Sequence, residues 1–118
     1  MKQKEIMKNI SILFNDILSD NCNILIRDDW QQSDGFRLTM KFIERVKQLD
    51  NRIDFINENF TGIGNNGKWK IVLKTIDSDG FVIEKTICHF KRTIGIYRGI
   101  YCALLDYEGK ILVETGRC

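Results

Sequence analysis

Three patterns in this chain predict an α+β fold, with two amphipathic helices packed on one face of a curved antiparallel β-meander. Apolar residues of the first part recur at steps of three and four, which is the helical period. The later part alternates apolar and polar residues between glycine-containing turns, as antiparallel strands do. The length of 118 residues predicts a single compact domain spanning 1–118.

The composition excludes several classes of protein. Apolar residues make up 43% of the chain and charged residues 29%, which is typical of a globular protein rather than a disordered one. Charged side chains interrupt every apolar run near the N-terminus, so the sequence predicts neither a signal peptide nor a membrane span. We therefore expect a cytoplasmic protein without a membrane partner. The four cysteines form no C-x-x-C pair, and no motif specifies a metal or cofactor, so we expect none.

The first predicted helix carries one apolar stripe, formed by Ile6, Met7, Ile10, Leu13, Phe14, Ile17 and Leu18. Its end charges oppose the helix dipole, because Lys2 and Lys4 stand near the positive start and Asp16 and Asp20 near the negative end. Packing or a partner must therefore stabilise this helix.

Residues 22–28 are predicted to form a short strand before the second helix. Ser33 or Asp34 can cap that helix, and its apolar phase continues to about Asp50. Alternation near its start leaves a strand as the competing interpretation. Residues 53–60 fit either the last helical turns or a strand, and we favour the strand.

The remaining segments predict two hairpins. In the first, "KWKIVLKT" alternates apolar residues with lysines, and "FVIEKTICHF" alternates in the same sense except at Lys85. The predicted register pairs Thr75 with Phe81, Leu73 with Ile83 and Trp69 with Ile87. In the second, a turn at 106–109 is predicted to place Leu104 opposite Ile111 and Cys102 opposite Val113.

The strand before that last turn is apolar on both faces. A sheet with one wet face would alternate, so we expect either a strand buried on both sides or a partner interface. The predicted interface residues are Tyr101, Ala103, Leu105 and Leu112. This order of elements is broadly similar to helix-on-meander folds of the cystatin, nuclear-transport-factor and hot-dog kinds, although no family motif accompanies it.

Residues 61–71, "TGIGNNGKWKI", contain the G-x-G-x-x-G pattern of a phosphate-binding loop. A dinucleotide fingerprint needs a helix after the glycines, whereas the following residues alternate as a strand. The sequence therefore favours a hairpin connection, with an anion held beside Lys68 as the remaining alternative.

Cationic and aromatic residues cluster between residues 61 and 101. Such residues bind single-stranded nucleic acid through phosphate contacts and base stacking, although a solvated sheet face has the same composition. The candidate nucleic-acid or phosphate-binding residues are Lys68, Lys70, Lys74, Lys91, Arg92, Tyr97, Arg98 and Tyr101.

No catalytic constellation emerges, and we therefore lean against an enzyme. The only polar candidates for a ligand pocket are Asp28, Asp29 and His89. The first hypothesis is a non-enzymatic protein that occupies a protein partner or associates with itself. The absence of proline and the abundance of Ile, Lys and Asn resemble the composition of proteins from low-GC bacteria and their phages, so a phage or mobile-element protein that inhibits a host factor is included. Nucleic-acid or nucleotide binding and a small-ligand pocket or enzyme are the alternatives.

Overall fold

The computed structural model describes residues 2–20, 32–60, 67–95 and 99–114. Within these residues the chain forms two helices, α1 (Gln3–Asp20) and α2 (Gln32–Lys47). Five strands follow: β1 (Ile53–Phe60), β2 (Gly67–Ile76), β3 (Val82–Gly95), β4 (Gly99–Asp106) and β5 (Ile111–Glu114). Each strand pairs antiparallel with the next, in the order β1-β2-β3-β4-β5. The predicted α+β fold is confirmed.

The second helix and the first strand lie close to their predicted positions. α2 begins just before the predicted caps and ends at Lys47 rather than near Asp50. Asp50 and Arg52 then form a turn. The backbone N–H of Arg52 donates to Oδ1 of Asp50 at 2.9 Å, and Nη2 of Arg52 donates to Oδ2 of Asp50 at 2.7 Å. The strand interpretation of 53–60 is confirmed. The predicted strand at 22–28 lies outside the described residues.

A cluster of aromatic rings lies between the helices and the sheet. Phe42 of α2 is at its centre, with ring centroids 5.6 Å from Phe14, 6.0 Å from Phe55 and 4.9 Å from Phe90. The stripe of α1 packs on the same cluster, as its period predicts. Burial of this stripe stabilises α1 although its end charges do not.

Both predicted hairpin registers are wrong, because the turns close at other residues and each ladder contains a bulge. Asp77, rather than Thr75, closes the first turn with Phe81, and β2 and β3 slip once more between Ile71 and Val72. The observed pairs are Thr75 with Ile83, Leu73 with Lys85 and Trp69 with Phe90. In the last hairpin Leu105 faces Ile111 and Leu104 faces Val113, with a shift between Leu104 and Leu105. A bulge adds one residue to one strand, and hydropathy alternation alone does not reveal it.

Candidate functional site

The β2–β3 hairpin extends beyond the rest of the sheet as a two-stranded projection, residues 75–86, which we call the arm. On one side, the hydrogen bond from Lys74 N–H to the Arg52 carbonyl, 2.8 Å, ends the contact with β1. On the other side, pairing with β4 ends at Cys88 opposite Asp106. In the described part of the chain, the two strands of the arm therefore pair only with each other.

An ordered turn closes the arm. Oδ1 of Asp77 accepts hydrogen bonds from the N–H groups of Asp79 at 2.9 Å and Phe81 at 2.8 Å. Gly80 has a φ of 84°, which only glycine adopts at little cost. The β4–β5 turn repeats this Asp-x-x-Gly arrangement with Asp106 and Gly109. The turn therefore holds the end of the arm in one defined conformation.

Large apolar side chains of the arm are exposed on both of its faces. The exposed fractions are 74% for Ile76, 69% for Phe81, 63% for Val82 and 48% for Ile83. Ile76 and Val82 lie opposite each other, and Ile83 lies opposite Thr75. The alternation in "FVIEKTICHF" predicts one apolar face with Phe81, Ile83 and Ile87, but of these three side chains only Ile87 is buried. Exposed apolar patches of this kind mark sites of interaction.

A groove of about 590 Å³ lies at the base of the arm, beside the first turn of α1. Its lining residues are Lys2, Gln3, Lys4, Met7, Ile87, Asp106, Tyr107 and Leu112. Met7, Ile87 and Leu112 are its aliphatic walls. Oδ1 of Asp106 is already engaged by the N–H groups of Glu108 and Lys110, each at 2.9 Å. The groove is therefore apolar within and carries the two lysines at one end.

Three predicted cations form a cluster on the face of the sheet opposite α1 and α2, which we call the lysine face: Lys68, Lys70 and Lys91. Lys68 lies directly opposite Lys91, and Lys70 lies opposite His89. No ion pair to these three lysines is found within the described residues. Like charges placed directly opposite each other destabilise a sheet, and a bound anion would relieve this repulsion.

The fourth predicted lysine, Lys74, is engaged elsewhere. Its Nζ lies 2.8 Å from Oδ2 of Asp54, and Lys47 lies 3.4 Å from the other oxygen of that carboxylate. The hydrogen bond from Lys74 lowers the pKa of Asp54. Lys74 is therefore part of an ion pair that joins β2 to β1.

Arg92 and Tyr101 are also held by other side chains. Arg92 is buried on the helix side, where Nη1 donates to Oγ1 of Thr39 and the guanidinium lies 5.3 Å from the centre of the Trp69 ring. Burial lowers the pKa of Arg92. The Tyr101 hydroxyl donates to Glu114, which raises the pKa of Tyr101 to about 12. The predicted Tyr97 and Arg98 lie outside the described residues.

The four predicted interface residues do not form one surface. Ala103 and Leu105 are buried, as are their neighbours Cys102 and Leu104, so this part of β4 is covered on both sides. Tyr101 is half-buried, and Leu112 lines the groove instead. Sequence reasoning missed the arm, although Lys85 within a predicted apolar face was a signal that this face is not buried.

Of the three polar candidates for a ligand pocket, the structure describes His89. Asp28 and Asp29 lie outside the described residues. His89 is buried, with Nδ1 2.8 Å from Oε1 of Glu58 and Nε2 3.4 Å from the Tyr107 carbonyl oxygen. This arrangement ties β1, β3 and the β4–β5 turn together. Within the described residues, no group of three or more His, Cys, Asp and Glu side chains could hold a metal ion.

Cys88 and Cys102 are buried thiols. Burial raises the pKa of each to about 12. Because the thiolate is the reactive form, neither side chain is prepared for nucleophilic chemistry at neutral pH.

The glycine pattern ends at the start of β2. Gly62 and Gly64 lie outside the described residues, whereas Gly67 packs under the indole of Trp69. A Cβ at position 67 would come 2.4 Å from an indole carbon. β1 and β2 are antiparallel neighbours on either side of the loop, so the predicted hairpin connection is confirmed. The role of Gly67 is close packing, and binding of an anion by the loop stays a prediction.

No protein-family model matches the chain, and comparisons with curated proteins and with solved structures found no match. In the described residues, neither helix is apolar enough over sufficient length to cross a membrane.

Proposed function

We propose that this protein acts without catalysis, by occupying a partner protein through the arm and the adjacent groove. The observation that carries the proposal is the set of exposed apolar side chains on the arm. Ile76, Phe81 and Val82 are each more than three-fifths exposed on a hairpin held by an ordered turn. A two-stranded hairpin is only marginally stable by itself, so this projection is costly unless it binds something.

The groove extends this surface. Ile87 follows the arm directly along β3 and lines the groove, so apolar surface continues from the arm to α1. Interfaces combine an apolar centre with a polar rim, and Lys2 and Lys4 supply such a rim here. We further propose that the partner is a cytoplasmic host factor of a low-GC bacterium, inhibited by occupation. That part rests on the composition of the chain alone.

The test compares two matched double variants in affinity capture from a lysate of a low-GC bacterium. Phe81→Ser with Ile83→Ser removes apolar groups from the arm, whereas Ile12→Ser with Met40→Ser removes two apolar groups of the helices that are 47% and 45% exposed. We expect the wild type and the helix variant to retain the same specific protein and the arm variant to lose it.

Light scattering of the purified wild type completes this test, because self-association through the arm would appear as a concentration-dependent mass. A protein that stays monomeric and captures nothing contradicts the proposal. Equal capture by the arm variant and the wild type contradicts it as well.

A second candidate function is nucleic-acid binding through the lysine face. The observation that favours it is the direct opposition of Lys68 and Lys91, with Lys70 on the same face. Phosphate binding would neutralise these charges, and the affinity would fall steeply with salt.

The test uses single-stranded oligonucleotides at several salt concentrations. Lys70→Gln and Lys91→Gln should each reduce the salt slope by about 0.7 if each lysine contacts one phosphate of the single strand. Lys41→Gln, an exposed lysine on α2, is the control and should leave the slope unchanged. Absence of any binding at low salt contradicts this function.

A further inference from the structure

We infer that the outer edge of β3 in the arm accepts an extended segment of the partner as an additional β-strand, and that this segment is apolar with acidic flanks. The inference rests on the proposed function and deepens it by naming the form and charge of what binds.

The direction of the backbone hydrogen bonds identifies the edge. The N–H of Asp77 donates to the carbonyl of Phe81, and the pairing continues without a shift as far as Val72 opposite Thr86. Bonded and non-bonded pairs alternate in an antiparallel ladder. The backbone groups of Ile83 and Lys85 are therefore hydrogen-bonded to β2, whereas the N–H and C=O groups of residues 82, 84 and 86 point away from β2.

These outward backbone groups have no strand partner within the described residues, because β4 joins β3 only from Cys88 onward. The three alternate residues 82, 84 and 86 offer backbone N–H donors and C=O acceptors to an extended chain. Main-chain pairing of this kind gives affinity, and the side chains of alternate residues give specificity.

The charges on the edge favour a different chain over a second copy of this one. In a twofold-symmetric antiparallel pair, one residue lies opposite its own copy. The register that pairs all of 82–86 with its copy places Glu84 opposite Glu84 and Ile83 opposite Lys85. Like charges directly opposite are destabilising, and charged residues on an edge oppose self-pairing in this way.

The surroundings of the edge define the chemistry of the segment. Ile83 and Lys85 lie on the helix side of β3, next to Ile87 and the groove. Side chains of an added strand on that side would meet Met7 and Leu112 in the groove. The groove volume of about 590 Å³ accommodates several aliphatic groups. Carboxylates beside them would meet lysines at the positive end of α1, where the helix dipole also favours an anion.

The first experiment follows backbone amide exchange by NMR in the full chain. The probe is the capped peptide Glu-Leu-Thr-Leu-Thr-Leu-Glu, which carries leucines on one side of a strand and glutamates at its ends. We expect the amides of Val82, Glu84 and Thr86 to exchange about ten-fold more slowly with the peptide bound, while Ile83 and Lys85 stay protected throughout. No such alternating protection at peptide concentrations on the order of 1 mM overturns the inference.

Two control peptides separate the contributions. A peptide of the same composition with leucine and threonine order scrambled tests the alternation, and one with lysine in place of glutamate tests the charge. Both are expected to bind at least about ten-fold more weakly, which corresponds to roughly 1.4 kcal/mol. Equal affinity of all three peptides overturns the proposed chemistry of the segment.

A matched pair of variants tests the edge itself. Glu84→Pro removes one outward N–H and no bond to β2, because proline is tolerated where the N–H faces away from the ladder. Glu84→Gln keeps that donor. We expect Glu84→Pro to weaken peptide binding about ten-fold or more and Glu84→Gln to stay within about two-fold of wild type. Retained amide protection at Ile83 and Lys85 verifies that the arm of the proline variant is folded.

Failure of this inference is distinguishable from failure of the proposed function. If Glu84→Pro captures the partner as the wild type does while the arm double variant loses it, strand addition is wrong and occupation of a partner stands. If the arm double variant captures the partner normally, the proposed function fails, and the peptide experiment still decides strand addition.

Discussion

Two regions of one sheet, the part under the helices and the arm, show how the same sequence pattern leads to different burial. Ile87 and Ile83 lie four residues apart on the same side of β3, yet Ile87 is 4% exposed and Ile83 is 48% exposed. The alternation is similar at both positions. The difference is that β4 pairs with β3 as far as Cys88, next to Ile87, and α1 lines the same groove as Ile87, whereas Ile83 has only its paired strand β2 beside it among the described elements. Alternation therefore determines which way a side chain points, and the length of the neighbouring elements determines whether it is covered.

The largest effect is expected at the centre of the covered region. Phe42→Ala removes a ring that contacts three other rings and should cost about 3–5 kcal/mol of unfolding free energy. Urea denaturation followed by circular dichroism measures this. Met40→Ala, at a 45% exposed position of the same helix, is the control and should cost much less. Equal losses in the two variants would contradict the assignment of Phe42 to the core.

A smaller effect is expected where β2 enters the covered region. Gly67→Ala places a Cβ against the indole of Trp69 and should cost about 1–3 kcal/mol, because the ring must shift. The control is Gly80→Ala in the arm, where the Cβ meets nothing within 4 Å and only the positive φ is strained. The tryptophan emission of Gly67→Ala should differ from that of the wild type, whereas the emission of Gly80→Ala should not. Unchanged emission in Gly67→Ala would show that the indole had not moved and that the packing argument is wrong.

A pH-dependent effect is expected at the turn that joins α2 to β1. Hydrogen bonds from the Arg52 side chain and backbone hold the pKa of Asp50 at about 2, below its ordinary value of 3.8. Because the native pKa is the lower one, the ionised carboxylate stabilises the fold above about pH 4, and this contribution disappears as the pH falls toward 2.

Urea titrations of wild type and Asp50→Asn between pH 2 and 6 measure this effect. The difference in unfolding free energy should be constant above about pH 4 and shrink below it. A difference that does not change over this range would mean that the carboxylate charge is not responsible.

The smallest effect on stability is expected in the arm. Phe81→Ser should change the unfolding free energy by no more than about 0.5 kcal/mol, because the ring is 69% exposed. Ile87→Ser, on the covered part of the same strand, should be far more destabilising. A large loss of stability in Phe81→Ser would mean that the ring is buried against something, and the contrast between the two regions would disappear.

The candidate site was only partly predictable from the residues. The alternation around Trp69 placed Lys68 and Lys70 together on the face away from the helices, and the cross-strand ladder brings Lys91 to them. The clustering of cations between residues 61 and 101 grouped Arg92 with these lysines, but Arg92 points to the helix side and is buried beside Trp69. Adjacent residues of a strand point to opposite faces, so Lys91 and Arg92 do not share one face.

The sequence by itself determined the helical stripe of α1, the antiparallel strands and the Asp-x-x-Gly turns, because each depends on residues within a few positions along the chain. Only the tertiary structure decided the ladder registers, the burial of Arg92 and the exposure of the arm. Those features depend on where distant elements end and what they cover, and β1 and β4 end before the β2–β3 hairpin does. The surface that we propose for binding a partner is a consequence of that difference in length.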